Sequence, residues 1–127
     1  MKDLEQIQRI IDEKSKKILD ANDKIWNYAE LAFHETKSAE LLKSILKEEG
    51  FTLTEGDAGI PTCFTGRLSY GSGKPVMGIL GEYDALSSLS QKAGQAKKDP
   101  LIPGAPGHGC GHCALGPGSL AAALAVK

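Results

Sequence analysis

Pro75-Val76-Met77-Gly78-Ile79-Leu80-Gly81-Glu82-Tyr83 is the stretch on which the fold turns. Val76, Met77, Ile79 and Leu80 make it apolar on both faces of an extended chain, which predicts a strand covered on both sides. A helix is expected beyond residue 112, so the strand reads as part of the central sheet of an α/β domain. In such sheets functional groups gather at the carboxyl ends of strands, where Glu82 and Asp84 stand.

Upstream, the apolar period is helical. Leu4, Ile7, Ile11 and Ile18 share one face of a first helix and predict its packing side. Asn22 or Asp20 is placed to cap a second helix, with Ile25, Ala29 and Ala32 in a stripe, Trp26 and Phe33 beside it, and an end near His34, itself read as a turn residue. A third helix has Thr36 as its N-cap, Ala39, Leu42, Ile45 and Leu46 as its buried stripe, and Gly50 where a left-handed C-cap residue is wanted. After Gly50 the period falls to about 2 and predicts strands over 51–55 and 63–68, with Cys63 as a small buried strand residue. A Gly-rich turn over 70–74 then leads into the two-sided strand over 75–83. Residues 87–106 form a polar loop with no internal period, and loops of that length are usually functional or disordered.

Composition bounds the partners. The chain has 127 residues, 41% hydrophobic and 24% charged, as expected of one soluble globular domain. A formal charge of -1 lacks the basic excess that drives binding to nucleic acid or membrane surfaces, so neither is expected as a partner. Met1-Lys2-Asp3-Leu4-Glu5 has no apolar signal core and the apolar run over 120–126 is too short for a bilayer, so the expected location is cytoplasmic. Three cysteines, an odd number, favour reduced thiols or metal ligands over a disulfide framework.

The chemistry is concentrated in Gly107-His108-Gly109-Cys110-Gly111-His112-Cys113. Residues two apart on an extended backbone share a side, so Cys110 and His112 could grip one divalent ion together. The same letters contain a Cys-x-x-Cys, Cys110 to Cys113, of the kind used in thiol exchange. A thioredoxin-like fold needs further strands after that motif, and only a short stretch follows Cys113. A third reading makes His108, Cys110, His112 and Cys113 a compact, non-catalytic metal site.

Gly81-Glu82-Tyr83-Asp84-Ala85-Leu86, the long loop, and Gly107-His108-Gly109-Cys110-Gly111-His112 resemble the M20 metallopeptidases, in the amidohydrolase branch of p-aminobenzoyl-glutamate hydrolase-like and aminoacyl dipeptidase-like enzymes. Its most specific element is the His-x-Cys-Gly-His run about two dozen residues after Glu-Tyr-Asp-Ala-Leu, and Trp26 through Glu35, the helix after it and Gly50-Phe51 fit as well. The resemblance implies a zinc-peptidase-like α/β catalytic domain, with helices followed by strands of a mixed sheet and a further helix. It implies two divalent ions, zinc or manganese, bridging a water that attacks an amide carbonyl, with a glutamate as general base. Cys110 and His112 are then metal ligands, and Asp84 supports the site by orienting a ligand. His108 would lie beside the metals or contact substrate, or serve as a structural hydrogen-bonding residue. Glu82 would join the site or remain a solvated strand-end carboxylate. The substrate implied is a small amide: an N-acyl amino acid, a dipeptide or an aminobenzoyl-glutamate.

Two positions depart from the family pattern. Cys113 stands where an acidic or amide side chain is usual and offers a further sulfur to the site. Gly116-Pro117-Gly118 disfavours the early turns of a helix, so the last helix is expected to begin late, capped by Ser119. Family members are several times longer, and their general base, remaining ligands and dimerisation domain lie outside the matched region. Residues 1–127 therefore read as a truncated, partial catalytic domain of a homodimeric parent, expected to be inactive alone.

Overall fold

The computed structural model of the chain describes residues 2–127. Its first element is one unbroken helix, α1, Lys2–Tyr28. The helix boundary expected at Asp20 or Asn22 does not form, because no Gly or Pro interrupts residues 2–28 and Asp20 pairs instead with Lys16 one turn earlier, at 2.6 Å. Nor does a helix extend to His34. Ala29 and Phe33 adopt left-handed φ of 45° and 67°, and the chain turns away after Tyr28. Of the face expected over Leu4, Ile7, Ile11 and Ile18, Ile18 packs partly buried against the core, whereas Leu4 is 69% exposed and Ile11 is exposed as well; the buried residues of α1 are Ala21 and Ile25.

Helix α2, Thr36–Glu48, follows the predicted stripe, with Ala39, Leu42, Ile45 and Leu46 buried. Its C-terminus closes as expected. Gly50 takes φ 88°, its amide donates to the Lys47 carbonyl at 3.0 Å, and the Phe51 amide donates to the Leu46 carbonyl at 2.9 Å. Its N-terminus differs from expectation, since Thr36 is the first helical residue and Glu35 occupies the cap position without a side-chain cap. The orphan amides of Lys37 and Ser38 donate instead to the Glu30 carboxylate, at 3.0 and 2.9 Å. Burial alone would raise the Glu30 pKa, but these amide donors hold it below the ordinary glutamate value.

Strands β1, Thr52–Glu55, and β2, Phe64–Arg67, pair antiparallel, with Thr52 opposite Arg67 and Glu55 opposite Phe64. Cys63 stands just before β2 and is half-buried rather than buried. The α/β character holds, as helices, a two-stranded sheet and a final helix. The third strand does not form. Residues 75–82 make no backbone-to-backbone hydrogen bond to another segment among the described residues, and Val76 and Leu80 are 93% and 92% exposed. A strand is defined by its neighbours, and here no neighbouring strand completes the ladder.

Helix α3, His112–Val126, starts at His112 and not near Ser119. Gly111, at φ 85°, precedes it, and Ala114 donates to the Gly111 carbonyl at 2.9 Å. Pro117 lies inside the helix and is among the most deeply buried side chains. Pro lacks the amide that would bond the Cys113 carbonyl, and burial of its ring offsets part of that loss. Ser119 caps nothing and donates to the Leu80 carbonyl at 2.5 Å. Together α1, α2 and α3 enclose a core of Ala21, Ile25, Leu42, Ile45, Leu46, Cys113, Leu120 and Leu124. No described helix is long and apolar enough to cross a membrane.

Candidate metal centre

Three backbone links place residues 82–86 beside the start of α3. The Ala85 amide donates to the Glu30 carbonyl at 2.7 Å, forming a parallel bridge between Leu31 and Ala85. Leu86 and Gly107 exchange two backbone hydrogen bonds, at 3.0 and 2.9 Å. These bonds close the long loop at its base and bring the Glu-x-Asp segment next to the His-x-Cys-Gly-His segment. Gly107 has no alternative there, since a Cβ would overlap the backbone of Leu89. The loop itself is ordered by hydrogen bonds across it, from Ser90 to Ala105 at 3.0 Å and from Lys92 to Asp99 at 2.9 Å.

Gly116 completes the approach from the helix side. A Cβ there would sit 3.1 Å from the Glu82 carbonyl oxygen and 3.2 Å from Tyr83 Cβ, so a bare glycine lets residues 82–83 lie directly on α3. Gly81 does the same against Ser119. Gly116, which read as a helix breaker, is thus one reason the two segments touch.

The result is a cluster of Glu82, Asp84 and His112 whose potential ligand atoms lie within 4.8 Å of one another. Asp84 Oδ1 is 2.8 Å from His112 Nδ1, and Glu82 Oε2 is 3.1 Å from His112 Nε2. A carboxylate only accepts, so Nδ1 carries the proton that it donates to Asp84. If the ring carries that proton alone, its Nε2 lone pair faces the Glu82 carboxylate, acceptor against acceptor. The contact is favourable only if a proton or a cation lies between them. The spacing suits a cation, because two ligands about 2.1 Å from one zinc, at 90–110°, lie about 3.0–3.4 Å apart.

The other residues singled out by the sequence are arranged less closely. Cys110 is exposed and does not join the cluster. Cys113 is buried in the core with Leu42 and Leu120, and burial pushes its thiol pKa up. His108 is 5% exposed, lies 6.2 Å from the Trp26 ring in a stacked arrangement, and its Nε2 is 3.0 Å from the Ile25 carbonyl. That bond makes Nε2 the donor and leaves Nδ1 buried without a partner among the described residues. Burial above all lowers the His108 pKa and favours the neutral ring. Sequence reasoning did not single out Glu30, whose carbonyl accepts from the Ala85 amide, or the contacts of Tyr83 with Thr62 and of Thr62 with Glu35. Only the alternation of Glu82, Tyr83 and Asp84 hinted that Tyr83 faces elsewhere.

Over 128 aligned residues the chain is 46% identical to a protein of Escherichia coli (strain K12). That relative is one of the subunits of p-aminobenzoyl-glutamate hydrolase. The similarity takes in 98% of this chain, which spans about a quarter of the relative's length, 26%. No protein-family model matches the chain, and no solved structure matches it.

Proposed function

We propose that the chain contributes part of the metal centre of an M20-type amidohydrolase that cleaves a small amide such as an aminobenzoyl-glutamate, an N-acyl amino acid or a dipeptide. The observation that carries this reading is the cluster of Glu82, Asp84 and His112, in which His112 Nε2 and Glu82 Oε2 lie 3.1 Å apart, a spacing that two ligands of one ion can take. The similarity to part of a hydrolase supports the reaction class and, through the name of that enzyme, the aminobenzoyl-glutamate substrate. That the relative is a subunit also supports assembly with other chains, of which a homodimer is the arrangement proposed here.

In this reading His112 Nε2 and Cys110 Sγ hold zinc or manganese, and Glu82 is placed to join them. Asp84 accepts the Nδ1 proton, which fixes the ring orientation and raises the donor strength of Nε2. A bound divalent ion polarises the amide carbonyl and makes a water nucleophilic near neutral pH. Cys110 lies on an exposed turn just before α3, outside the core, and its place as a ligand rests on the resemblance. His108 is held by Ile25 and Trp26 as a wall of the site.

Calorimetric titration of zinc and of manganese into the 127-residue chain tests the centre. Binding is expected in the native chain and a loss of more than about 100-fold in His112→Ala. Equal binding by the two would remove the reading. The isolated chain is expected to hydrolyse no amide, because the general base implied by the resemblance is not among its matched residues. Metal-dependent turnover of p-aminobenzoyl-glutamate by the purified chain would contradict that.

A further inference from the structure

Tyr83 stands between the two carboxylates of the candidate centre, yet its side chain goes elsewhere. Its ring lies beside Phe64, centroids 6.0 Å apart, and its hydroxyl donates to the Thr62 carbonyl. Thr62 is 7% exposed, and its Oγ1 donates to Glu35 Oε2 at 2.8 Å. Glu35 is itself buried, and no lysine, arginine or histidine pairs with it among the described residues. Taking a carboxylate out of water without a counter-charge is costly, so a chain selected for stability alone would place a neutral residue here. The hydroxyl of Tyr83 donates to the residue that Glu35 holds, so the three side chains form one connected network.

We infer that Tyr83 is a positioning residue: through Thr62, which Glu35 holds in turn, it fixes the backbone between Glu82 and Asp84 and so sets both carboxylates on His112. The segment is pinned twice, by the Tyr83 hydroxyl and by the Ala85 amide on the Glu30 carbonyl. Asp84 lies between these pins and Glu82 directly before the first, so loss of the Tyr83 pin would free the backbone that carries both carboxylates. The 2.8 and 3.1 Å contacts on the two nitrogens of one ring could not then be kept together. The network lies away from the ring itself, so its effect is transmitted through backbone geometry. The importance of that geometry for metal holding rests on the proposed function above.

The test uses the full chain with Tyr83→Phe, Thr62→Val and Thr62→Ser, and Leu124→Val as a core change elsewhere on α3. Tyr83→Phe removes the hydroxyl, Thr62→Val removes the donor to Glu35 at nearly constant shape, and Thr62→Ser keeps it. The first readout, in metal-free protein, is exchange of the His112 Nδ1 proton with water by NMR. The second is cobalt(II) affinity by visible absorption. Tyr83→Phe and Thr62→Val are expected to speed the exchange more than about threefold and to weaken cobalt binding about tenfold. Thr62→Ser and Leu124→Val should stay within about twofold of the native chain, whatever Leu124→Val does to the thermal midpoint. The inference is overturned if Tyr83→Phe leaves proton exchange unchanged, or if Leu124→Val moves it as much. If the native chain binds no cobalt, the metal reading fails while proton exchange still decides the positioning role.

Discussion

Glu49 and the Glu82–Asp84 pair are two places where carboxylates meet partners brought from distant parts of the chain, and they are furnished differently. Glu49, at the end of α2, is nearly buried and has Lys14 at 2.6 Å, Lys17 at 3.4 Å and Lys127 at 3.5 Å. Positive charge exceeds negative there, and Lys14 above all holds the Glu49 pKa below its ordinary value. Glu82 and Asp84 share one imidazole, and no lysine or arginine pairs with either among the described residues. The first cluster is complete as a brace that ties α1, α2 and the end of α3 together. The second is short of positive charge, which is a reason to bind a cation and a poor way to stabilise a fold.

Asp84→Asn should break this contrast most sharply. The Asn amide oxygen can still accept from His112 Nδ1, so the ring keeps its orientation, but the negative charge behind it is gone. Zinc affinity is expected to fall about 10- to 100-fold with little change in metal-free stability, measured by calorimetry and thermal melting. A large stability loss with unchanged zinc affinity would make the second cluster a brace like the first.

Glu49→Gln is the converse test. Stability should fall by about 1–2 kcal/mol near pH 7, since a nearly buried, charge-assisted contact with Lys14 is weakened, while zinc affinity stays constant. The pH dependence fixes the sign. A carboxyl whose folded pKa is depressed stabilises the fold above its unfolded value, near 4.5 here, and that contribution fades as pH falls through the lower folded pKa. Native chain and variant should therefore differ most above about pH 5 and converge in acid, read from denaturant midpoints. A constant gap across that range would mean that Glu49 acts by packing and not by charge.

What could be read in the sequence follows the range over which each signal acts. Helix α2 was legible because Leu42, Ile45, Leu46 and Gly50 act within a few turns of one another, and the hairpin because its period is local. The extended segment over 75–83 was not, since its apolar residues describe what a strand would need and not whether a neighbour is present. The His-x-Cys-Gly-His run suggested Cys110 and His112 as partners on one ion, but the group that faces His112 Nε2 in space is Glu82 and not Cys110. Asp84 and His112 lie 28 positions apart, Thr62 and Glu35 27 apart, and Tyr83 and Thr62 21 apart, so no local period could join them. Pro117 misled for a related reason. Its local cost is real, but the core contact that offsets it is tertiary.

Gly116→Ala carries the smallest expected effect and separates local from tertiary reasoning most finely. Inside a helix, Ala is favoured over Gly by about 1 kcal/mol, so by propensity alone the variant should be more stable. The new methyl, however, would lie 3.1 Å from the Glu82 carbonyl oxygen, 3.2 Å from Tyr83 Cβ and 3.3 Å from Leu42 Cδ1. Each neighbour must yield by a few tenths of an ångström, and the shift is shared between the end of the Leu42 side chain and the segment over 82–83, which Tyr83 and Ala85 pin but no sheet locks. Helical gain and crowding should nearly cancel, leaving the thermal midpoint within about 2 °C of the native chain. The displaced segment carries Glu82 and Asp84 outward, so zinc affinity should drop about threefold even though no ligand has changed. Unchanged affinity with raised stability would show that the segment tolerates the shift, and that the spacing of the carboxylates from His112 is set by Tyr83 and Ala85 alone.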